Sequence, residues 1–284
     1  MTSPGKISVE LGPVQETLLI PLLGRAEETK KKRGLLRDPK AVEMVAALDY
    51  DFAKWHGVGS LSGSALRARI FDEQVQAFLE RHPGGTIVEI GAGLNTRYER
   101  LDNGQASWLE LDLPDSMALR QRFFEDTERR TMLAASVLDS DWHERVAALP
   151  APYCFVSEAV LIYLDNGDVE RVLRALNARF ADSWLVTDTA SSAFVDGQHK
   201  HDAIGKMSPD SWCRWKCDDP QQLADWGLKL ERSLTFLDIS ADIRAALPLH
   251  YRLILGFAPW LIRRRVQTYR MNRFLFTGVD GNQT

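Results

Sequence analysis

Apolar residues recur along this chain in two rhythms, and the change between them falls near residue 83. Before it, ETLLIPLLGRAEETKKK, DPKAVEMVAALDYDFAKW and SALRARIFDEQVQAFLERH carry apolar residues three and four positions apart, the spacing that lines one face of a helix. Pro39 and the glycines from Gly57 to Gly63 mark the breaks between these helices. After HPGG, short apolar runs alternate with helix-length segments, which predicts βαβ units and a parallel sheet. Strands are expected at 86–90, 107–111, 131–135, 153–157 and 183–187, with two more at 228–236 and 271–277. The pattern predicts an α/β fold: a helical N-terminal cap over residues 1–82 and a core over 83–284, with cap residues 17–70 and a lid at about 190–226 as pocket walls.

Composition narrows the partners. The 284 residues, 45% of them hydrophobic, can bury a sizeable core. The net charge is −4 with Lys and Arg spread along the chain, so the broad basic field that nucleic-acid binding relies on is missing. Cys154, Cys213 and Cys217 are too few and too unevenly placed for a secreted disulfide framework, so a reducing, cytoplasmic setting is expected. The first residues contain no apolar stretch of signal-peptide length. The longest apolar run, LILGFAPWLI at 253–262, is half the roughly 20 residues of a membrane span. Arg263, Arg264 and Arg265 follow it directly. The run reads as a helix over an apolar pocket or as core with a solvated end; an interfacial membrane helix with a basic edge is the less ordinary reading. The KKKR stretch from Lys30 to Arg33 reads as a solvated loop.

Chemistry concentrates in TIVEIGAGLNTRYER, which starts at Thr86. After a strand ending at Ile90, Gly91 and Gly93 allow a tight turn and a close approach of backbone to ligand at the carboxyl edge of a sheet. A dinucleotide site would want a third glycine where this chain has Thr96, which weakens the pyrophosphate reading. The acidic residue expected about 20 positions on, for ribose hydroxyls, is present as Asp112. Glu89 lies just before the glycines, Asp139 follows the third expected strand and Glu158 the fourth. A nucleoside without diphosphate, beside several carboxylates, matches S-adenosylmethionine (SAM), whose sulfonium and ammonium groups are positive. Each carboxylate alone reads equally well as a helix cap or turn former.

Seven segments in order resemble the leucine carboxyl methyltransferase family, in particular its bacterial branch similar to the tetracenomycin polyketide carboxyl O-methyltransferase. They are TLLIPLLGRAEE, DYDF, ALRARIFDEQVQAFL, IVEIGAGLNTRYERLDNG, WLELDLPDSMALRQRFF, SVLDSDW and SEAVLIYL. The resemblance runs from about Thr17 to about Asp188 and implies a Rossmann-like class I methyltransferase: a mostly parallel seven-stranded sheet, helices on both faces, and SAM as methyl donor. Carried over by motif, Arg67 grips the methionine carboxylate, with Arg69 as the alternative one register away. Gly91 lines the cofactor, Asp112 takes the ribose, Asp139 and Ser140 the adenine edge, and Glu158 the methionine moiety. The family usually has Asp where this chain has Asn95, which removes one charge near the cofactor.

Methyl transfer from a sulfonium to oxygen depends mainly on an in-line nucleophile and excluded water. A carboxylate acceptor, with a pKa of roughly 4, is already ionised at neutral pH, whereas a phenol near 10 needs a base or metal. His82 and His143 read as structural or surface histidines, and Tyr163 as either a substrate contact or a core tyrosine. His199, His201, Cys213 and Cys217 are poorly spaced for zinc, and Trp212 and Trp215 beside them suit a lid equally well; no metal is expected. The favoured reading is a SAM-dependent O-methyltransferase forming a methyl ester on a small-molecule carboxylate of the kind found in natural product biosynthesis. A phenolic acceptor, a protein C-terminal carboxylate and a non-catalytic SAM-binding protein stand as alternatives, with an NAD oxidoreductase behind them.

Overall fold

The computed structural model describes residues 5–247, 249–257 and 260–279. Seven strands form one sheet: β1 (Thr86–Ile90), β2 (Ser107–Asp112), β3 (Arg130–Ala134), β4 (Tyr153–Ser157), β5 (Trp184–Ala190), β6 (Leu228–Leu234) and β7 (Tyr269–Phe276). Their spatial order is β3-β2-β1-β4-β5-β7-β6. The first five are parallel, and β7 inserts antiparallel between β5 and β6. Strands β1 and β5 are buried along their whole length, as expected where helices cover both faces of a sheet. The chain leaves β1 toward β2 and β3, then returns to build outward from β4. That reversal opens a crevice at the carboxyl ends of β1 and β4, where ligands of open α/β sheets bind.

The N-terminal region supplies α1 (Leu19–Lys30), α2 (Pro39–Ala47) and α3 (Ser60–Arg81). Asp38 caps α2 by accepting the Ala41 amide at 2.9 Å, with Pro39 at the first helical position, where its missing N–H costs nothing. Helix α3 packs directly on the sheet. Its Phe71, Val75 and Phe78 share an apolar cluster with Ile87, Trp108, Val156 and Trp184, so this face of the core crosses the boundary expected at residue 82. Helices α1 and α2 join α5 (Pro114–Arg120) in a separate cluster through Leu22, Met44 and Met117. On the opposite face of the sheet, α6 (Trp142–Ala147) and α7 (Asn166–Arg179) cover Val88, Leu109, Phe155 and Leu185. The remaining helices are α4 (Arg97–Leu101), α8 (Ser192–Gly197), α9 (Ala241–Ala246), α10 (Leu249–Phe257) and α11 (Trp260–Val266).

Strand bounds differ from expectation where polar residues are satisfied inside the sheet. Strand β5 continues past Thr187 through Asp188 and Thr189 because β7 pairs with it along its whole length, and the Thr189 hydroxyl accepts from Asn272 at 3.0 Å. Strand β6 stops at Leu234, short of the expected 236, after a bulge between Leu230 and Arg232. Within 190–226, Cys213, Trp215 and Cys217 belong to the apolar core, whereas Phe194, His201 and Ile204 line the cavity described below.

Candidate active site

The crevice opens into a cavity of about 1160 Å³. Its floor is the turn after β1, where Gly91 and Gly93 hold φ of 68° and 47°, a region that side chains disfavour. A Cβ on Gly91 would stand 2.2 Å from Val160 Cγ2, so the turn leaves room for hydrogen only. The Gly93 amide donates to Asp112 Oδ2 at 2.6 Å and the Leu113 amide to Asp112 Oδ1 at 2.7 Å, which fixes this carboxylate at the tip of β2. Burial raises the Asp112 pKa, and the two backbone donors oppose the rise. From α5, Arg120 donates to the carbonyls of Gly93 and Asn95 at 2.8 and 2.7 Å, while Glu110 balances its charge at 2.8 Å. The glycine turn is therefore held from below as well as beside.

Paired charges form the wall between β1 and β4. Arg97 is wholly buried and donates to Glu89, to Asp72 at 3.0 Å and to Glu158 at 2.7 Å. Glu158 also accepts from Arg67 Nε at 2.9 Å. Burial would raise the Glu158 pKa, but Arg67 and Arg97 outweigh it and hold the group below its ordinary range. Glu89 goes the other way: burial raises it, and Arg97 compensates only in part. From α1, Arg25 pairs with Asp38 at 2.8 Å and donates to the Leu94 carbonyl at 2.6 Å, tying the N-terminal helices to the glycine turn. Asn95 accepts the Thr96 amide at 2.8 Å and donates to Glu89 at 3.4 Å. Its Oδ1 also accepts from Arg100 at 3.4 Å, so the amide bridges an acidic and a basic neighbour.

Beyond Glu158 the backbone turns sharply at Ala159. The buried Asp188 accepts the Ala159 amide and also the Tyr269 hydroxyl. Burial raises Asp188 to about 6, against the pull of Arg67 and Tyr269. Tyr163 lines the cavity with its hydroxyl pKa pushed upward by burial. Ile20, Ile162, Phe194, Ile204, Phe236 and Leu255 give the cavity much of its apolar lining.

Of the residues expected from sequence, Arg67, Glu89, Gly91, Gly93, Asp112, Glu158 and Tyr163 come together around this cavity. Arg69 lies outside its lining and pairs along α3 with Glu73 at 3.8 Å. Asp139 and Ser140 are exposed and also outside it. Asp139 turns back to accept the Ser136 amide at 3.2 Å, which leaves Ser136 and Val137 as the wall. Trp212 and Trp215 do not line the cavity either, because Trp215 is packed into the core. Sequence reasoning passed over Arg25, Arg97, Asp188 and Tyr269. Arg97 carried a signal in its position directly after the glycine turn; Asp188, at the expected end of a buried strand, carried another.

The family model described as leucine carboxyl methyltransferase matches residues 19–177. The tetracenomycin polyketide synthesis O-methyltransferase TcmP of Streptomyces glaucescens is 32% identical over 169 residues, 59% of this chain and 62% of that protein. The SAM-dependent methyltransferase dpfgK of Gibberella zeae is 27% identical over 248 residues, 77% of this chain and 80% of its own length. Among solved structures, a DUF574 family protein of Streptomyces avermitilis superposes with a TM-score of 0.54 at 12% identity, covering 89% of this chain and 96% of that one. With a class I methyltransferase sheet and a family match over more than half its length, the chain belongs to the leucine carboxyl methyltransferase family of SAM-dependent methyltransferases.

Proposed function

We propose that this chain forms a methyl ester on the carboxylate of a small, largely apolar molecule. When bound, SAM supplies an electrophilic methyl group on a sulfonium. The glycine turn and the Asp112 carboxylate fit a nucleoside: Asp112 accepts from the ribose hydroxyls while its backbone donors hold it still. Glu158 faces the ammonium of the methionine moiety, and Arg67 takes its carboxylate through a charge-assisted pair. Glu89 adds negative charge beneath them. Ser136 and Val137 would wall the adenine edge, with Asp139 holding their turn in shape through the Ser136 amide.

One observation carries the choice of acceptor. Among the described lining residues, each carboxylate already has hydrogen-bond partners: Glu28, Glu89, Asp112, Glu158 and Asp202 accept from arginine, lysine, asparagine, serine or backbone donors. The imidazole of His201 accepts the amides of Ala203 and Ile204 on Nδ1 at 3.3 and 3.2 Å, so in its neutral form the proton sits on Nε2. That nitrogen lies 3.4 Å from Ser60 Oγ and, carrying the proton, cannot deprotonate an acceptor. Such a pocket suits a nucleophile that arrives ionised, as a carboxylate does at neutral pH. The apolar side chains of the lining then exclude water and hold the acceptor body, which leaves positioning as the main source of acceleration.

The test is transfer of labelled methyl from SAM to a panel of aromatic carboxylic acids and matched phenols. Product from the acids that alkali hydrolyses to methanol, at a rate flat with pH above the acceptor's own pKa, supports the reading. Alkali-stable ether from the phenols alone, or no product from any acceptor, rejects it.

A further inference from the structure

We propose that the outer face of α10 and α11 docks on the surface of an anionic lipid bilayer. Eight large apolar side chains are markedly exposed among the described residues, and five of them fall within residues 249–260. Phe257 is 84% exposed, Trp260 70%, Leu249 67% and Leu253 48%, a cluster that a folded monomer rarely leaves bare without a use. Arginine dominates this stretch of the chain, although Asp238 shares a small pocket with Trp260 and Arg263. From residue 243 to 279 the chain has seven arginines and no Asp, Glu or Lys, although its net charge is −4. Exposed Arg252, Arg263 and Arg264 lie on the same two helices as the apolar cluster.

Aromatic and aliphatic side chains beside arginines form the pattern of a helix lying in the headgroup region, its apolar face in the acyl boundary and its cations on lipid phosphate. A second copy of this chain is a poorer occupant, because two-fold pairing through this face would set the same arginines against one another. The contact is peripheral, since no helix among the described residues is long and apolar enough to cross a membrane. Tyr251 and Leu255 of α10 line the cavity described above, so the docked face and the cavity wall belong to one helix. An acceptor dissolved in the bilayer would then meet the helix that also walls the cavity. The docking itself does not depend on which oxygen is methylated.

The experiment is co-sedimentation of the full-length protein with vesicles of phosphatidylcholine alone or with phosphatidylglycerol in equal parts. The expected result is binding to the mixed vesicles only, reversed by salt. Phe257→Ser with Trp260→Ser, and separately Arg263→Glu with Arg264→Glu, should each weaken it by about tenfold or more. SAM affinity of both variants, measured by calorimetry, should stay unchanged, which shows that the fold is intact. Equal binding to neutral and anionic vesicles, or none to either, overturns the proposal. So does a concentration-dependent dimer in sedimentation velocity that the Phe257 and Trp260 changes dissolve, which would assign the face to a second copy.

Discussion

Both carboxylate oxygens of Asp188 accept the backbone N–H of Ala159, at 2.9 and 3.1 Å, and Ala159 holds a left-handed φ of 54°. A strained residue next to Glu158 is thus fixed by a carboxylate from the neighbouring strand. This positions the Glu158 side chain against Arg67 and Arg97.

Removing that support should loosen Glu158. Asp188→Ala leaves the buried Tyr269 hydroxyl and the half-buried Ala159 amide without their acceptor, at a cost of about 1 to 3 kcal/mol. SAM affinity should fall with it. Ala159→Gly keeps the bond and removes the strain, so urea unfolding should show equal or higher stability, by up to about 1 kcal/mol. A glycine variant clearly less stable than the parent would show that Ala159 is not strained.

Acidity should register at the same carboxyl. Asp188 is raised from its ordinary 3.8 to about 6, so between those values the folded chain keeps a proton that the unfolded chain releases. This contribution is fully present below pH 3.8, is lost progressively as pH rises, and is gone above about 6. At about 1.4 kcal/mol per unit it amounts to about 3 kcal/mol. Asp188→Asn cannot titrate, so the stability difference between parent and variant should shift against the parent across this window. Parallel pH profiles for the two proteins would refute the assignment.

Gly91 has no space for a side chain: its φ is positive and Val160 stands where a Cβ would go. Gly91→Ala should abolish measurable SAM binding and lower the unfolding midpoint. Adding Val160→Ala relieves the methyl clash but not the backbone strain, so it should restore stability only in part. Full rescue would mean that the conformation of the turn carries no cost.

Asp112 is offered as the ribose acceptor. Asp112→Ala should raise the SAM dissociation constant by about 10- to 100-fold, the range for losing a charged hydrogen-bond partner. Asp112→Asn, whose NH2 would face one of the two backbone donors of Gly93 and Leu113, should weaken binding as well. Calorimetry that finds both variants unchanged would remove Asp112 from the site.

Strands at 86–90 and 153–157 were legible to the residue because each is an apolar run closed by glycine, proline or a polar turn. The end of β5 was not, because Asp188 and Thr189 look like a loop until β7 is present to satisfy them. Helix α3 reads as part of a cap from its period alone; only the sheet shows that its second face is core. The glycine turn, Asp112 and Glu158 were legible through their spacing against the strands. The pairs Arg25 to Asp38, Arg97 to Asp72 and Arg67 to Glu158 were not, since they join separate segments of the chain and leave no periodic trace. The acidic turn after β3 misled in detail: Asp139 spends its carboxylate on its own backbone, as such residues often do.

The most direct test of carboxylate methylation is an acceptor that carries both candidate oxygens on one ring, such as a hydroxynaphthoic acid. The protein is incubated with it and labelled SAM, and the methylated position is read by mass spectrometry before and after mild alkali. Label on the carboxylate, lost to methanol in alkali while the phenol stays free, is the predicted result. Label retained as an alkali-stable ether on the phenol, with the carboxylate untouched, would contradict the account and require a base that this cavity has not been shown to hold.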